Sequence, residues 1–436
     1  MNQKDSIIRF FYLKDLFMKQ IISIPAILFL LINTPAKTQD IVKLEDVFKQ
    51  IENANPSLKM YDAQIHSQDE VAKGIRVWSA PEVGAGFWMT PYDTKYWSKD
   101  ASGNSGMGQF MISAQQMIPN KKKQDAEVKY MEAVSSVDKE RKKVALNELF
   151  ATAKKNYYEW IIIKKKMSVL DQNEKLLNFM IQNAEISYKN GQEKLSAYYK
   201  TKAALGNLQN LRLILENEIK QRQVALNTLM NRTKLTAFEI DTMYQVKNYS
   251  PIQFDSTAII KTRSDIKAID KDIQLIFLQQ DLEKSKLNPE FGVTYNHMFG
   301  FGGLPMQFTL MGTVKLPMAK WSSKNLKYNL ESLSWKAESF NQQKLMLLNE
   351  ATGMVYSMLN EIDLKKNQIK LFEDRIMPAL KKNFQVMQLG YEQNTEQLFT
   401  LFDAWETLNT TQLEYLELLR QLLLEQAELE RILEIQ

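Results

Sequence analysis

The feature that most limits what this chain can become is that it says one thing twice. Shifting Asn55–Gly86 by 208 positions lays it on Arg263–Thr294 without a gap. Lys59 then meets Lys267, Asp62 meets Asp270, Ile65 meets Ile273, Pro81-Glu82 meets Pro289-Glu290 and Gly84 meets Gly292. A shift of 198 matches Gln109-Phe110 to Gln307-Phe308 and Pro119 to Pro317. A shift of 203 pairs Tyr188 with Tyr391, Leu195 with Leu398 and Leu229 with Ile432. A repeat of about half the chain defines the folding unit before any single motif does. Two units are expected, at 40–231 and 263–436, joined by a linker over 232–262 that contains Ser250-Pro251.

Each copy reads as a helix halted by a proline and followed directly by an alternating strand. Proline lacks an N–H and disfavours the α conformation in the residue before it. The first helix of each unit is expected to reach Ala80 or Asn288, with strands over about 82–92, 108–118, 290–299 and 305–316. Phe110, Ile112, Ala114 and Ile118 share one face of the second strand, opposite Gln109, Met111, Ser113 and Gln115. In its duplicate, Phe308, Leu310, Val314 and Leu316 stand opposite Gln307, Thr309 and Thr313. Strict alternation means one apolar and one wet face. In a soluble sheet the apolar face meets a helix; in a membrane barrel it meets lipid and the wet face lines a lumen.

Beyond Pro119 no proline or glycine occurs until Gly191. Leu149, Ala153, Trp160, Ile163, Met167 and Leu170 recur at threes and fours, the spacing of an amphipathic coiled-coil face. Some seventy residues at 1.5 Å each span roughly 100 Å. The chain turns at Lys189-Asn190-Gly191 and returns to about Asn231. The second unit is expected to repeat this, with a long helix to Gly390 and a last one from about Glu396, striped by Leu401, Trp405, Leu408, Tyr415, Leu419, Leu422 and Leu429.

Lys14 and Lys19 precede an apolar run, Ile21–Ile32, with small or polar residues after it. That is the order of an export signal, expected to occupy 1–39, and the run is short of the roughly 20 residues a spanning helix needs. No later stretch is apolar enough for such a helix, so any further membrane crossing falls to strands.

With no cysteine and two histidines, disulfides, thiolate sites and most histidine catalysis are excluded. The net charge of +5 is spread out and gives no nucleic-acid signal. Gly103, Gly106 and Gly108 lack the following Gly-Lys-Ser/Thr of a phosphate loop and read as a loop tip. The runs Lys121–Lys123 and Lys164–Lys166 read as solvated helix faces. His297 near Met298 and Met306 invites a soft-metal site, since sulfur favours monovalent copper or silver. The plainer reading is that methionines fill gaps and face lipid. No enzyme constellation and no cofactor site emerges.

Export signal, duplicated helix–strand–strand–long helix–turn–helix, and Tyr188-x-x-Gly191-x-x-x-Leu195 at the turn together resemble the TolC-type outer-membrane efflux proteins. The resemblance covers about Ile41–Gln436. It implies a mainly α fold with a small β part, assembled as a homotrimer. Each protomer would give four strands to one twelve-stranded outer-membrane barrel, continued by a periplasmic helical barrel. The partners implied are outer-membrane lipid, a periplasmic adaptor and an inner-membrane pump of the RND type. Tyr188, Gly191 and Leu195, with Gly390, Tyr391, Asn394 and Leu398, would form the adaptor-docking tip; Asn394 stands where the family has glycine. The family's constriction motif, Asp-x-x-Asp-Ala, falls on Thr400–Ala404, so Asp403 survives and Thr400 replaces its partner, with Phe402 and Leu401 as steric candidates. Leu316-Pro317-Met318 and Trp321-Ser322-Ser323-Lys324 look similar to members from heavy-metal resistance systems, and multidrug and protein export stay open. The competing reading is a soluble periplasmic coiled-coil scaffold without channel activity.

Overall fold

The computed structural model describes residues 41–191, 194–249 and 256–435. The expected export signal and Ser250-Pro251 lie outside them. Strand β1 (Ile41–Val42) leads into helix α1 (Leu44–Ala54), which buries Val47 and Ile51, one turn apart. Asn55 ends α1 and caps α2 (Pro56–Gly74). Its side chain accepts from the Ser57 N–H at 2.9 Å and donates to the Leu229 carbonyl at 2.8 Å, with Pro56 in the first turn where no N–H is needed. Leu58, Ile65 and Ala72, each seven apart, form the buried stripe.

Strand β2 (Glu82–Trp88) pairs antiparallel with β3 (Gln109–Ile118). Helix α3 (Lys121–Lys189) then runs for 69 residues and α4 (Leu195–Leu229) returns beside it. A two-residue β4 (Glu239–Ile240) pairs parallel with β1, and α5 (Ser256–Thr262) leads to α6 (Ser264–Ser285). Strands β5 (Glu290–Gly300) and β6 (Gln307–Lys315) follow, then α7 (Lys320–Leu371), a π turn (Phe372–Ile376), α8 (Met377–Glu392) and α9 (Leu398–Leu433). The four long strands form one sheet in the order β2-β3-β5-β6. Among the described residues no helix is long and apolar enough to cross a membrane. The coarse expectation, mostly helix with a small sheet, holds.

Several expected boundaries move. Helix α2 stops at Gly74, not near Ala80: glycine is a poor helix former, and Pro81 favours extended backbone just before it. Helix α6 likewise stops at Ser285, and the next three N–H groups bond back to the carbonyls of Glu283, Lys284 and Ser285. Strand β2 ends at Trp88 because Met89 turns to φ 48. Asn120 caps α3; its side chain accepts from the Lys123 N–H at 3.3 Å and donates to the Pro289 carbonyl at 2.8 Å, tying sheet to helix. The long helix to Gly390 is interrupted by the π turn, which ends two residues before Pro378. Proline has no N–H to give the preceding turn, so the ladder slips there.

Helix α3 is the spine, packed against α1, α2, α4, α6 and α9. Ala153, Trp160, Ile163 and Leu170 of its expected stripe are buried, as are Leu401, Trp405, Leu408, Leu419, Leu422 and Leu429 of α9. Trp160 meets Phe238 edge-on at 5.1 Å, and Trp405 Nε1 donates to Asn173 Oδ1 at 2.7 Å.

Candidate functional site

Cross-strand partners share a face, so the register sorts every strand residue. One face carries Phe87, Phe110 and Phe299, then Ala85, Ile112, His297 and Phe308, then Val83, Ala114, Tyr295 and Leu310. Ile118, Phe291 and Val314 continue it toward the helices. The opposite face carries Gln109, Ser113, Gln115, Thr294, Asn296, Gln307, Thr309 and Thr313. The apolar side is bare: Val83 is 73% exposed, Phe308 69% and Leu310 66%. No helix covers it. Leu316, expected on this face, is exposed but lies just beyond β6. His297 stacks edge-on against Phe299 at 4.5 Å on the apolar face, whereas Met298 points to the wet one, so the two cannot share a metal ion.

At the sheet end farthest from the helices, the β2–β3 loop locks onto the β5–β6 loop. The Gly106 N–H donates to the Gly302 carbonyl at 2.9 Å and Trp97 stacks on Phe301 at 5.0 Å. A Cβ on Gly106 would stand 2.3 Å from the Trp97 carbonyl oxygen, so this close approach requires glycine.

At the other end of the molecule two helical turns have one hydrogen-bond pattern. Asn190 N–H bonds to Ile186 and Gly191 N–H to Tyr188; Gln393 N–H bonds to Leu389 and Asn394 N–H to Tyr391. Gly191 sits at φ +73 and Asn394 at φ 58. Asparagine is among the few side chains that tolerate this conformation, which is why it can stand where the first turn has glycine. Gly390 is enclosed, its carbonyl accepting from the N–H groups of Thr395 and Glu396 and from the Thr395 hydroxyl. Tyr188 and Leu195 are exposed, and Tyr391 is half-buried. Leu398 is fully buried among α3, α4 and α9 side chains, so it supports the turn from within and is removed from the docking surface. Ile186, Tyr199 and Phe399 are exposed there instead; their spacing to the turn motif was the available signal.

Of the constriction set, Asp403 and Thr400 reach the surface. Thr400 donates to the Gln397 carbonyl at 2.7 Å. Phe402 and Leu401 are buried, which excludes them as steric plugs. Lys200 lies 4.3 Å from the ring centroids of both Phe402 and Phe399 and reaches Glu406 at 3.9 Å, so a cation bridges α4 and α9 beside Asp403.

Midway along α3, against the last turn of α9, lies a buried ion cluster that periodicity could not reveal. Glu430 accepts from Lys154 at 2.5 Å, Lys247 at 2.6 Å and the Tyr249 hydroxyl at 2.9 Å. Burial works against the Glu430 carboxylate, but the two ammonium groups outweigh it and hold its pKa below the usual range. The same burial, with Glu430 nearby, pushes the Tyr158 hydroxyl up to about 12. A cavity of about 750 Å³, lined by Lys43, Phe48, Lys154, Tyr157, Tyr158 and Tyr244 among others, adjoins it. Among the described residues no group of three or more His, Asp or Glu side chains could hold a metal ion.

Residues 47–232 match the family model described as outer membrane efflux protein. The fold is that of solved outer-membrane channels. The outer membrane protein VceC from Vibrio cholerae is 16% identical, with TM-score 0.70 over 89% of this chain and 95% of that one. The outer-membrane channel OprN gives 11% identity and TM-score 0.71 over 89% of each chain. CusC, whose structures concern transmembrane channel formation, gives 13% and 0.69 over 89% and 91%. No curated protein sequence matches.

Proposed function

We propose that this chain, a relative of the outer membrane efflux proteins, is the exit duct of a tripartite exporter, passing cargo from the periplasm to the exterior. The observation that carries this reading is the sheet. Its apolar face is bare, and its outer strands, β2 and β6, each pair on one side alone among the described residues. Four strands cannot close a barrel, whereas three copies supply twelve, with β6 of one copy against β2 of the next. The bare face then meets lipid and the wet face lines the passage. The helices favour the same joint. Helix α3 lies against both α2 and α6, while α7 packs on α6 and α9 and leaves Trp321, Tyr328 and Trp335, spaced by seven, exposed. In a ring, the next copy's α2, with Met60 and Val71 exposed, takes the place that α6 takes beside α3.

In this reading residues 1–39 direct export, the two turns form the periplasmic tip, and an adaptor's helical hairpin docks on Tyr188, Gly191, Leu195, Gly390, Tyr391 and Asn394. An RND-type pump supplies the cargo, with heavy-metal cations favoured by the resemblance around Pro317–Lys324. Asp403 and Thr400 line the constriction. The bare sheet face counts against a soluble scaffold, which would expose it to water.

Fractionation tests the reading first: a heat-modified trimer is expected in the outer membrane, and a soluble periplasmic pool would overturn it. Gly191→Val forces a β-branched residue to positive φ, so export should stop while trimers persist in the outer membrane. Normal export by that variant would remove the tip as the docking site. Asp403→Ala should raise single-channel conductance of the trimer in a planar bilayer and lower its cation selectivity; unchanged values would return Asp403 to an ordinary solvated residue.

A further inference from the structure

Methionine is distributed over the sheet in a way that gap-filling does not explain. Met111, Met117, Met298 and Met311 all lie on the wet face, and the apolar face carries none. A methionine recruited as a lipid-facing hydrophobe would stand on the other side. Apart from Trp88, these four are the large apolar side chains of the wet face. Met117 has a packing role, since its sulfur covers Gly292, 2.6 Å from where a Cβ would stand. Met311 faces Thr294. Met111 and Met298 differ: they are direct partners across β3 and β5, both half-buried, in one row with Gly86 and Gln307. A Cβ on Gly86 would meet nothing within 4 Å, so there is open space beside Met111 and no gap for it to fill.

We propose that Met111 and Met298 form a thioether site for a soft monovalent cation, copper(I) or silver(I), on the wall of the passage. Partnered residues have Cβ atoms about 4.5–5.5 Å apart, and methionine's three rotatable bonds let both sulfurs converge on one ion. Thioethers select soft ions over hard ones. Of the charged residues of the wet face, Glu290 and Lys315 stand in the row nearest the helices and Glu82 two rows from this one, so none lies in the site's own row or the rows next to it. The neighbouring rows hold Gln109, Ser113, Asn296 and Thr309. An uncharged ligand set suits a monovalent ion better than a divalent one, and holds it weakly enough to be released. The repeat does not copy the pair: Thr309 answers Met111 and Thr90 answers Met298. Each protomer therefore contributes one site.

The site deepens the duct reading, on which it rests for the statement that the wet face lines the passage. Its test is silver nitrate titrated into the purified full-length protein in chloride-free detergent, with methionine methyl groups labelled with carbon-13. One silver ion per protomer is expected, with the Met111 and Met298 methyl resonances shifting and those of methionines in the helices unmoved. Met111→Leu with Met298→Leu keeps volume and apolar character and should abolish the binding. Undiminished silver binding by that double variant would overturn the site, as would wild-type methyl resonances that stay in place with silver but shift with an apolar dye. Should the double variant fail to assemble, the wild-type resonances decide alone. Potassium conductance of the wild-type trimer reports separately on the duct: its absence would overturn that reading whatever silver does.

Discussion

In the sheet, Val83, Phe308 and Leu310 are 73%, 69% and 66% exposed, while in the helices Ile161, Val355 and Leu423 are at 0%. The residue types are the same and the periodicity of each element is obeyed in both. What differs is the medium each element is built to meet. The helices turn their stripes toward one another because they stand in water, where burying a large apolar side chain contributes about 1.5–3 kcal/mol. The sheet turns its stripe outward, which on the duct reading places it against lipid instead of water. On the duct reading, an exposed hydrophobic residue therefore marks lipid on the sheet and a neighbouring copy on the helices, as at Trp321 and Trp335.

The contrast is sharpest for truncation. Trp160→Ala in the helix core should cost about 3–5 kcal/mol, since it removes a fully buried ring packed on Phe238. Leu310→Ala should cost well under half of that in the same detergent, because detergent fills the space left. Denaturant unfolding of both variants checks this, and equal losses would break the comparison.

Charge gives the next contrast. Glu430→Gln leaves the Lys154 ammonium buried without its carboxylate and should cost about 3–5 kcal/mol near neutrality. The folded Glu430 holds its proton less tightly than the unfolded one. Its contribution is therefore fully present above the unfolded value of about 4.3 and is lost as pH falls through the lower folded value. The helical part of the wild type should weaken below about pH 4 by this route, and Glu430→Gln should flatten that part of the pH profile. A profile of unchanged slope would show that the cluster does not control acid stability.

A charge brought to the sheet completes the series. Leu310→Arg should cost about 2–4 kcal/mol in liposomes if it lies near the midplane, against little for Thr309→Arg on the wet face. Urea titration followed by the heat-modified band measures both; a larger loss at Thr309 would reverse the faces.

Much of this was legible beforehand where one residue dictates its own conformation. Gly191, Pro56, Pro81 and Pro289 mark turns and ends through backbone sterics alone. The alternation of Phe110, Ile112 and Ala114 likewise sets a face without reference to any neighbour. Leu398 and Phe402 were misplaced because matching motifs locates residues along the chain, not around a helix. Both turn inward toward α3 and α4, while Tyr188, Leu195 and Asp403 remain outside. Pro378 was a local signal for the break in the second long helix.

By itself, then, the sequence determined the doubled plan, the helix and strand periods and the wet and apolar strand faces, since these depend on local geometry. The tertiary structure decided the rest. It set which strand follows which in the sheet, brought Lys154, Lys247 and Glu430 together from three distant segments, and placed Met111 opposite Met298. Those pairings join residues far apart in the chain, and a local pattern carries no information about which distant surface will come to meet it.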